Sequence, residues 1–296
     1  MKCSCRIEAL LNNHHRLKVH SIYRHTVNVL ADGQLLAFHQ ENIPLTPLSV
    51  GLPLYPYEFA LFSQEAERKG LIWLEEDGGQ FFLRTGAFNR EVGRIQSWED
   101  RISLSLQAEK RKLLHDHILS LLSKKKELQG FSDSALCQEK RKEDSFITAA
   151  LREKTGLLLG KKKEEGTEKF KEQIFSLIGL GQGLTPSGDD FLTGLFLAFL
   201  LCPAEEISQT LAEKKEMLFQ TVKENLDRTN EISRAYLLSA MERRFGENYH
   251  ALLASEKEKE TVEILEKISQ TGHSSGIDTL NGLAVGLELI RKDRDK

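Results

Sequence analysis

The chain has 296 residues, 40% apolar and 29% charged, enough for one large domain or two ordinary ones with a sizeable core. Its net charge of −3 argues against generic nucleic-acid binding, which needs a basic face. The longest apolar run, residues 191–201, is about half a membrane span.

The start, Met1-Lys-Cys-Ser-Cys-Arg6, lacks the apolar core of a signal peptide, so a cytoplasmic protein with no membrane or nucleic-acid partner is expected. Cys3 and Cys5 are spaced too tightly for a structural zinc pair, and no further Cys or His cluster completes them. The fold class expected is α+β: a β-rich N-terminal domain over residues 1–101, barrel-like or a small sheet, then a helical connector over 102–166 and a mainly helical domain over 167–296. Alternating segments at 17–23 and 26–30, followed by Asp32-Gly33 and 34–38, read as strands with a hairpin turn. Residues 71–74, Asp77-Gly-Gly79 and 81–83 repeat the pattern, and five or six short strands are expected. Four of the six prolines (Pro44, Pro47, Pro53, Pro56) fall between the two hairpins, which predicts a loop or edge segment there.

From about residue 102 the apolar spacing becomes helical. Leu104, Leu106, Leu113, Leu114, Ile118, Leu121 and Leu122 form a stripe with charges between them. A second helix is expected over 134–154, then a glycine-flanked Lys/Glu-rich connector over 156–166. Helices are expected over 168–178, 189–201, 204–226, 230–245, 261–268 and 277–290.

The chemistry concentrates in Gly179-Leu-Gly-Gln-Gly-Leu-Thr-Pro-Ser-Gly-Asp-Asp190. Glycines allow positive φ and close approach of backbone to ligand, and a helix starting near Pro186 or Ser187 leaves N–H groups for an anion. The string returns 88 residues later: Ser187-Gly-Asp-Asp190-Phe-Leu-Thr-Gly194-Leu and Ser275-Gly-Ile-Asp278-Thr-Leu-Asn-Gly282-Leu share Ser-Gly-x-Asp-x-Leu-x-Gly-Leu. Small residues recur four places on, Gly194 with Ala198 and Gly282 with Gly286, so two helices are expected to cross at these glycines. Their leading loops would then meet, with Asp190 and Asp278 at one cleft. The simpler reading makes each Ser-x-x-Asp a capping box. No lysine follows the glycines and no strand precedes them, which excludes a P-loop and a Rossmann turn, and Gly-x-Ser-x-Gly is absent.

The glycine string, with Gly272-His-Ser-Ser-Gly-x-Asp278 and Thr229-Asn-Glu-Ile-Ser233, resembles a bacterial family that includes the AllH subunit of oxamate carbamoyltransferase. The likeness extends to a β-rich N-terminal part with Asn28 and Trp98 in place. It implies a chain that works with two other subunits, one related to CoA-ligase-like proteins. Together these convert oxalurate and phosphate to oxamate and carbamoyl phosphate in allantoin catabolism, with a requirement for Mg²⁺.

On that reading the backbone around Gly179, Gly181, Gly183, Ser187 and Gly188 would cradle phosphate with the Thr185 and Ser187 hydroxyls, and Asp189 and Asp190 would hold Mg²⁺. Asp278 would complete that shell or bind an amide NH₂. His273, beside Ser274 and Ser275, would be the general acid–base. Asn230 would cap its helix or, with Ser233, contact substrate. Two other readings stand beside this one: a non-catalytic assembly or ligand-binding subunit of such a complex, and a stand-alone Mg²⁺-dependent hydrolase or ligase acting on a small phosphate- or ureido-containing metabolite.

Overall fold

The computed structural model describes residues 1–13, 16–124, 153–156, 158 and 167–295. They divide into two compact units, residues 1–102 with 244–250, and residues 103–243 with 251–296. Most of the helix expected over 134–154 and of the connector over 156–166 falls outside the described residues.

The first unit is a curled nine-stranded sheet: β1 (Lys2–Ser4), β2 (Arg16–Tyr23), β3 (Thr26–Ala31), β4 (Gln34–Gln40), β5 (Ser49–Leu52), β6 (Leu71–Asp77), β7 (Gln80–Thr85), β8 (Phe88–Gly93) and β9 (Gln96–Trp98). Their order across the sheet is β8-β7-β6-β2-β3-β4-β5-β1-β9. Both predicted hairpins form. Asp32 and Gly33 take φ of 48° and 75°, and Gly78 and Gly79 take 57° and 82°, the left-handed pair that a two-residue turn between twisted strands requires.

The proline-rich link is not only a loop, as the sequence had suggested. It contributes β5, parallel to β4, and then helix α2 (Pro56–Lys69), which follows α1 (Cys5–Asn13) in chain order. Pro56 stands at the first helical position, where its missing N–H costs nothing, and the Glu58 carboxylate accepts the Tyr55 N–H at 3.0 Å. Phe59, Phe62 and Ala66 of α2 are buried, and the Phe62 ring lies 6.4 Å from Phe38 and 5.5 Å from Phe88.

The second unit is helical: α3 (Ala108–Lys124), α4 (Thr167–Leu177), α5 (Ser187–Leu201), α6 (Gln209–Glu224), α7 (Glu231–Met241), α8 (Glu247–Ala254, its first residues counted with the sheet), α9 (Glu258–Ser269) and α10 (Ser275–Arg294). Leu114, Ile118 and Leu122 form the buried stripe of α3, whereas Leu113 is exposed. The helix expected over 204–226 is shorter, because Ser208 accepts the Leu211 N–H at 3.2 Å and starts α6 after a separate turn at Ala204–Glu206. That expected over 230–245 ends at Met241; Arg243 has φ of 67°, off the helical path. Nearly all of α5 and the first four turns of α10 are buried.

Candidate functional site: paired helix starts joined by two loops

Helices α5 and α10 cross at the repeated small residues. A side chain at Gly194 would lie 1.9 Å from the Thr279 carbonyl oxygen, and one at Gly282 would lie 1.9 Å from that of Phe191. Under the 88-residue offset these two contacts exchange, so the crossing has a local pseudo-twofold axis. Ala198 and Gly286, also mates under the offset, meet further along. The contacts advance together along both helices, so these run parallel and start at the same end. Asp190 and Asp278 lie one turn before the crossing glycines, on the same stripes.

The loops ahead of the two helices do meet: Thr185 Oγ1 and Ser275 Oγ are 2.7 Å apart. This excludes the capping-box reading. The residues preceding the helices are Pro186 and Ser274, neither making a side-chain cap, and Ser275 instead faces the other loop. Gly188 and Gly276 do matching work, since a side chain at either would lie 2.0 Å or less from a carbonyl oxygen, that of Leu177 or Ile268. The loops differ in length: nine residues separate α4 from α5, five separate α9 from α10. The additional residues include the glycine run.

Within that run the three glycines differ in role. Gly179 has φ of 72°, packs on the Arg228 carbonyl, and donates its N–H to Asp189 Oδ1 at 2.8 Å. Gly181, with φ of 127°, packs against the Ser187 amide. Gly183, with φ of 106°, is exposed and has nothing within 4 Å of the direction a side chain would take. Open space therefore lies at the loop tip.

The expectation that Gly179 and Gly188 amides face an anion is corrected by their partners, because the Gly188 N–H is bound to Leu180 O at 2.8 Å. The Asp189 and Asp190 amides likewise bond to Pro186 O. The stretch left to face a ligand is the tip, from Gly181 to Thr185, with Ser187 behind it.

Asp189, expected as a Mg²⁺ ligand, is 1% exposed and bonded within the protein. Its Oδ1 accepts from Gly179, and its Oδ2 accepts from Thr229 Oγ1 at 2.5 Å and from Ser233 Oγ at 2.6 Å. Asn230 caps α7 by accepting the Ser233 N–H at 3.0 Å. Thr229, Asn230 and Ser233 thus anchor the start of α7, with the Asn230 side chain exposed.

Asp190 differs from its neighbour. Its Oδ2 is sealed from solvent and has no hydrogen-bond partner. Burial holds its carboxyl well above the usual carboxylate range, the charge of Asp278 adds to this, and the hydroxyls of Ser275 and Thr185 oppose it in part. Asp278 is fully buried, while His273 is exposed in the loop leading to Ser274 and Ser275. Asn281, one turn after Asp278, was not anticipated: it is fully buried, donates to Ile277 O at 3.1 Å, and leaves Oδ1 without a partner. A polar residue inside an otherwise apolar stretch was its available signal.

Of the expected Mg²⁺ ligands, Asp189 has both oxygens bonded to protein donors, and among the described residues no three His, Cys, Asp or Glu side chains gather as a metal site. Among the same residues no helix is long and apolar enough to cross a membrane.

A family model described as oxamate carbamoyltransferase subunit AllH matches residues 177–287. The matched stretch begins at the last residue of α4 and ends within α10, so it encloses α5 and α7 and takes in the glycine-bearing first part of α10. The N-terminal likeness, including Asn28 and Trp98, lies outside it. No solved structure matches the chain.

Proposed function

We propose that this chain, whose residues 177–287 match the AllH family model, is a subunit of an oxamate carbamoyltransferase-type complex in the cytoplasm, acting with other protein subunits on a small ureido substrate. The observation that carries the reading is the meeting of two helix starts at Thr185 and Ser275, with Asp190 and Asp278 directly behind. Two parallel helices directing their N-terminal ends at one place favour a negatively charged guest there. The open tip at Gly183 gives such a guest room.

In the proposed reaction a phosphate oxygen attacks the ureido carbonyl carbon of oxalurate, the carbon–nitrogen bond to the oxamate portion breaks, and the proton given up by phosphate ends on the departing nitrogen. The chain's contribution is to hold phosphate at the 181–185 loop and to place fixed donors where charge develops. Asp190, whose carboxyl burial shifts above the usual carboxylate range, and exposed His273 are the groups assigned to carry the proton. Mg²⁺ is assigned no step.

One observation favours the second reading, a subunit that shapes an assembly while a partner does the chemistry. Asp189 and the Gly179 and Gly188 amides serve the fold internally, which leaves fewer groups for catalysis. The test is phosphate-dependent cleavage of oxalurate by the assembled complex carrying Asp190→Ala. Loss of turnover with intact assembly supports the catalytic reading; normal turnover transfers the chemistry to a partner.

A further inference from the structure

We infer that Asp189 is a positioning residue: a buried carboxylate that locks the glycine loop to the start of α7, with Thr229 and Ser233 as its donor set. The inference rests on the proposed reading only for its effect on turnover; the lock itself is a property of this chain.

The glycine loop, α5 and a segment 40 or more residues further on meet at this one side chain. The loop supplies the Gly179 N–H, α5 supplies the carboxylate, and the approach and first turn of α7 supply the Thr229 and Ser233 hydroxyls. The backbones also touch here, because Gly179 lies against the Arg228 carbonyl, where a side chain at 179 would come within 2.4 Å of the oxygen. Gly179 must therefore stay a glycine on two counts, its φ of 72° and this contact. A fully enclosed carboxylate is tolerated only when its oxygens are satisfied, and three donors do that here. The adjacent acids have divided their work. Asp189 faces inward and fixes where the loop begins, while Asp190 faces the junction of the two loops. Thr-x-x-x-Ser at 229–233 is explained by the same geometry, since extended Thr229 just ahead of the Asn230 cap and Ser233 in the first turn of α7 bring their hydroxyls to a single acceptor.

The lock and a metal-ligand role separate cleanly in the Asp189→Asn variant. The asparagine side chain keeps one oxygen for the Gly179 N–H, and its amide can donate to the two hydroxyls, which rotate to accept. A metal site would lose its anionic ligand. The experiment measures amide hydrogen exchange at Gly179 in the isolated chain, Mg²⁺ binding by calorimetry, and phosphate KM and kcat in the assembled complex. Asp189→Ala should speed Gly179 exchange about tenfold or more, the loss expected for one charge-assisted hydrogen bond. Asp189→Asn should retain most of that protection and leave any Mg²⁺ affinity unchanged. In the complex, Asp189→Ala should raise phosphate KM at least about tenfold, and Asp189→Asn should stay within about threefold of the parent. If Asp189→Ala does not fold, Ser233→Ala and Thr229→Val each remove one donor and should speed Gly179 exchange by a smaller factor. Unchanged exchange in all three variants overturns the inference, as does Mg²⁺ binding abolished by Asp189→Asn. If no variant or parent complex cleaves oxalurate, the proposed function fails, and the exchange data still decide the lock.

Discussion

Replacing Gly194 by alanine tests the helix crossing directly. The new methyl carbon would lie 1.9 Å from the Thr279 carbonyl oxygen and 2.6 Å from the Leu283 amide nitrogen, both backbone atoms that cannot turn aside. Ordinary contact begins above 3 Å, so α5 and α10 must part by at least about 1 Å, with loss of contact along the whole seam. Overpacking of this kind costs roughly 1–3 kcal/mol, and rigid backbone on the receiving side puts this case at the upper end. Alanine returns about 1 kcal/mol through its better helix propensity. The net loss is about 2 kcal/mol, or a fall in Tm of about 4–8 °C for a unit of this size, measured by calorimetry on the purified chain. Gly282→Ala meets the Phe191 carbonyl at the same 1.9 Å and should cost the same. Because one separation of the helices accommodates both methyls, the double variant should lose less than the sum. A Tm for Gly194→Ala equal to or above the parent would refute the crossing.

The Asp190 carboxyl has its folded pKa raised, so its contribution to stability is complete at low pH and is lost as pH climbs through the raised value. Asp190→Asn keeps the neutral shape; its urea midpoint should match the parent near about pH 4 and exceed it near about pH 8, and a variant less stable at both would contradict the burial argument. Thr185→Val and Ser275→Ala each remove one side of the bond between the loops and should cost about 1 kcal/mol in urea unfolding. The pair should show a coupling of about 0.5 kcal/mol or more, and strict additivity would mean the hydroxyls do not meet in solution.

What the sequence disclosed, and what it withheld, follows the range of the interactions. Asp32-Gly33 and Gly78-Gly79 announced their hairpins because a two-residue turn is decided by its own φ angles. β1 and β9 escaped notice because three-residue strands lying parallel to one another, more than 90 residues apart, carry no local pattern. α2 was hidden by four prolines read as loop formers, although Pro56 followed by Glu58 and the Phe59, Phe62, Ala66 spacing was the pattern of a helix start. The crossing of α5 and α10 was legible because a repeated Gly-x-x-x-small stripe specifies backbone contact by what it lacks. The role of Asp189 was not, since adjacent carboxylates look alike in sequence and only the surroundings show which one is enclosed.

The two halves of the repeat also explain why the site is asymmetric. A pseudo-twofold pair of identical loops would present the same groups twice. Here the loop ahead of α5 is longer and lifts its glycine tip into open space, whereas the shorter loop ahead of α10 carries His273 and closes on Thr185 through Ser275. Asp189 has a non-equivalent mate as well, because the offset places apolar, buried Ile277 there, and the α10 half has no carboxylate for such a lock. The duplicated helices therefore supply a frame with two positive ends, and under the proposed function the differences between the loops would supply the chemistry. Grafting the short 270–274 loop in place of 178–186 should preserve the helix crossing while removing the anion-facing tip. That swap separates the frame from the site.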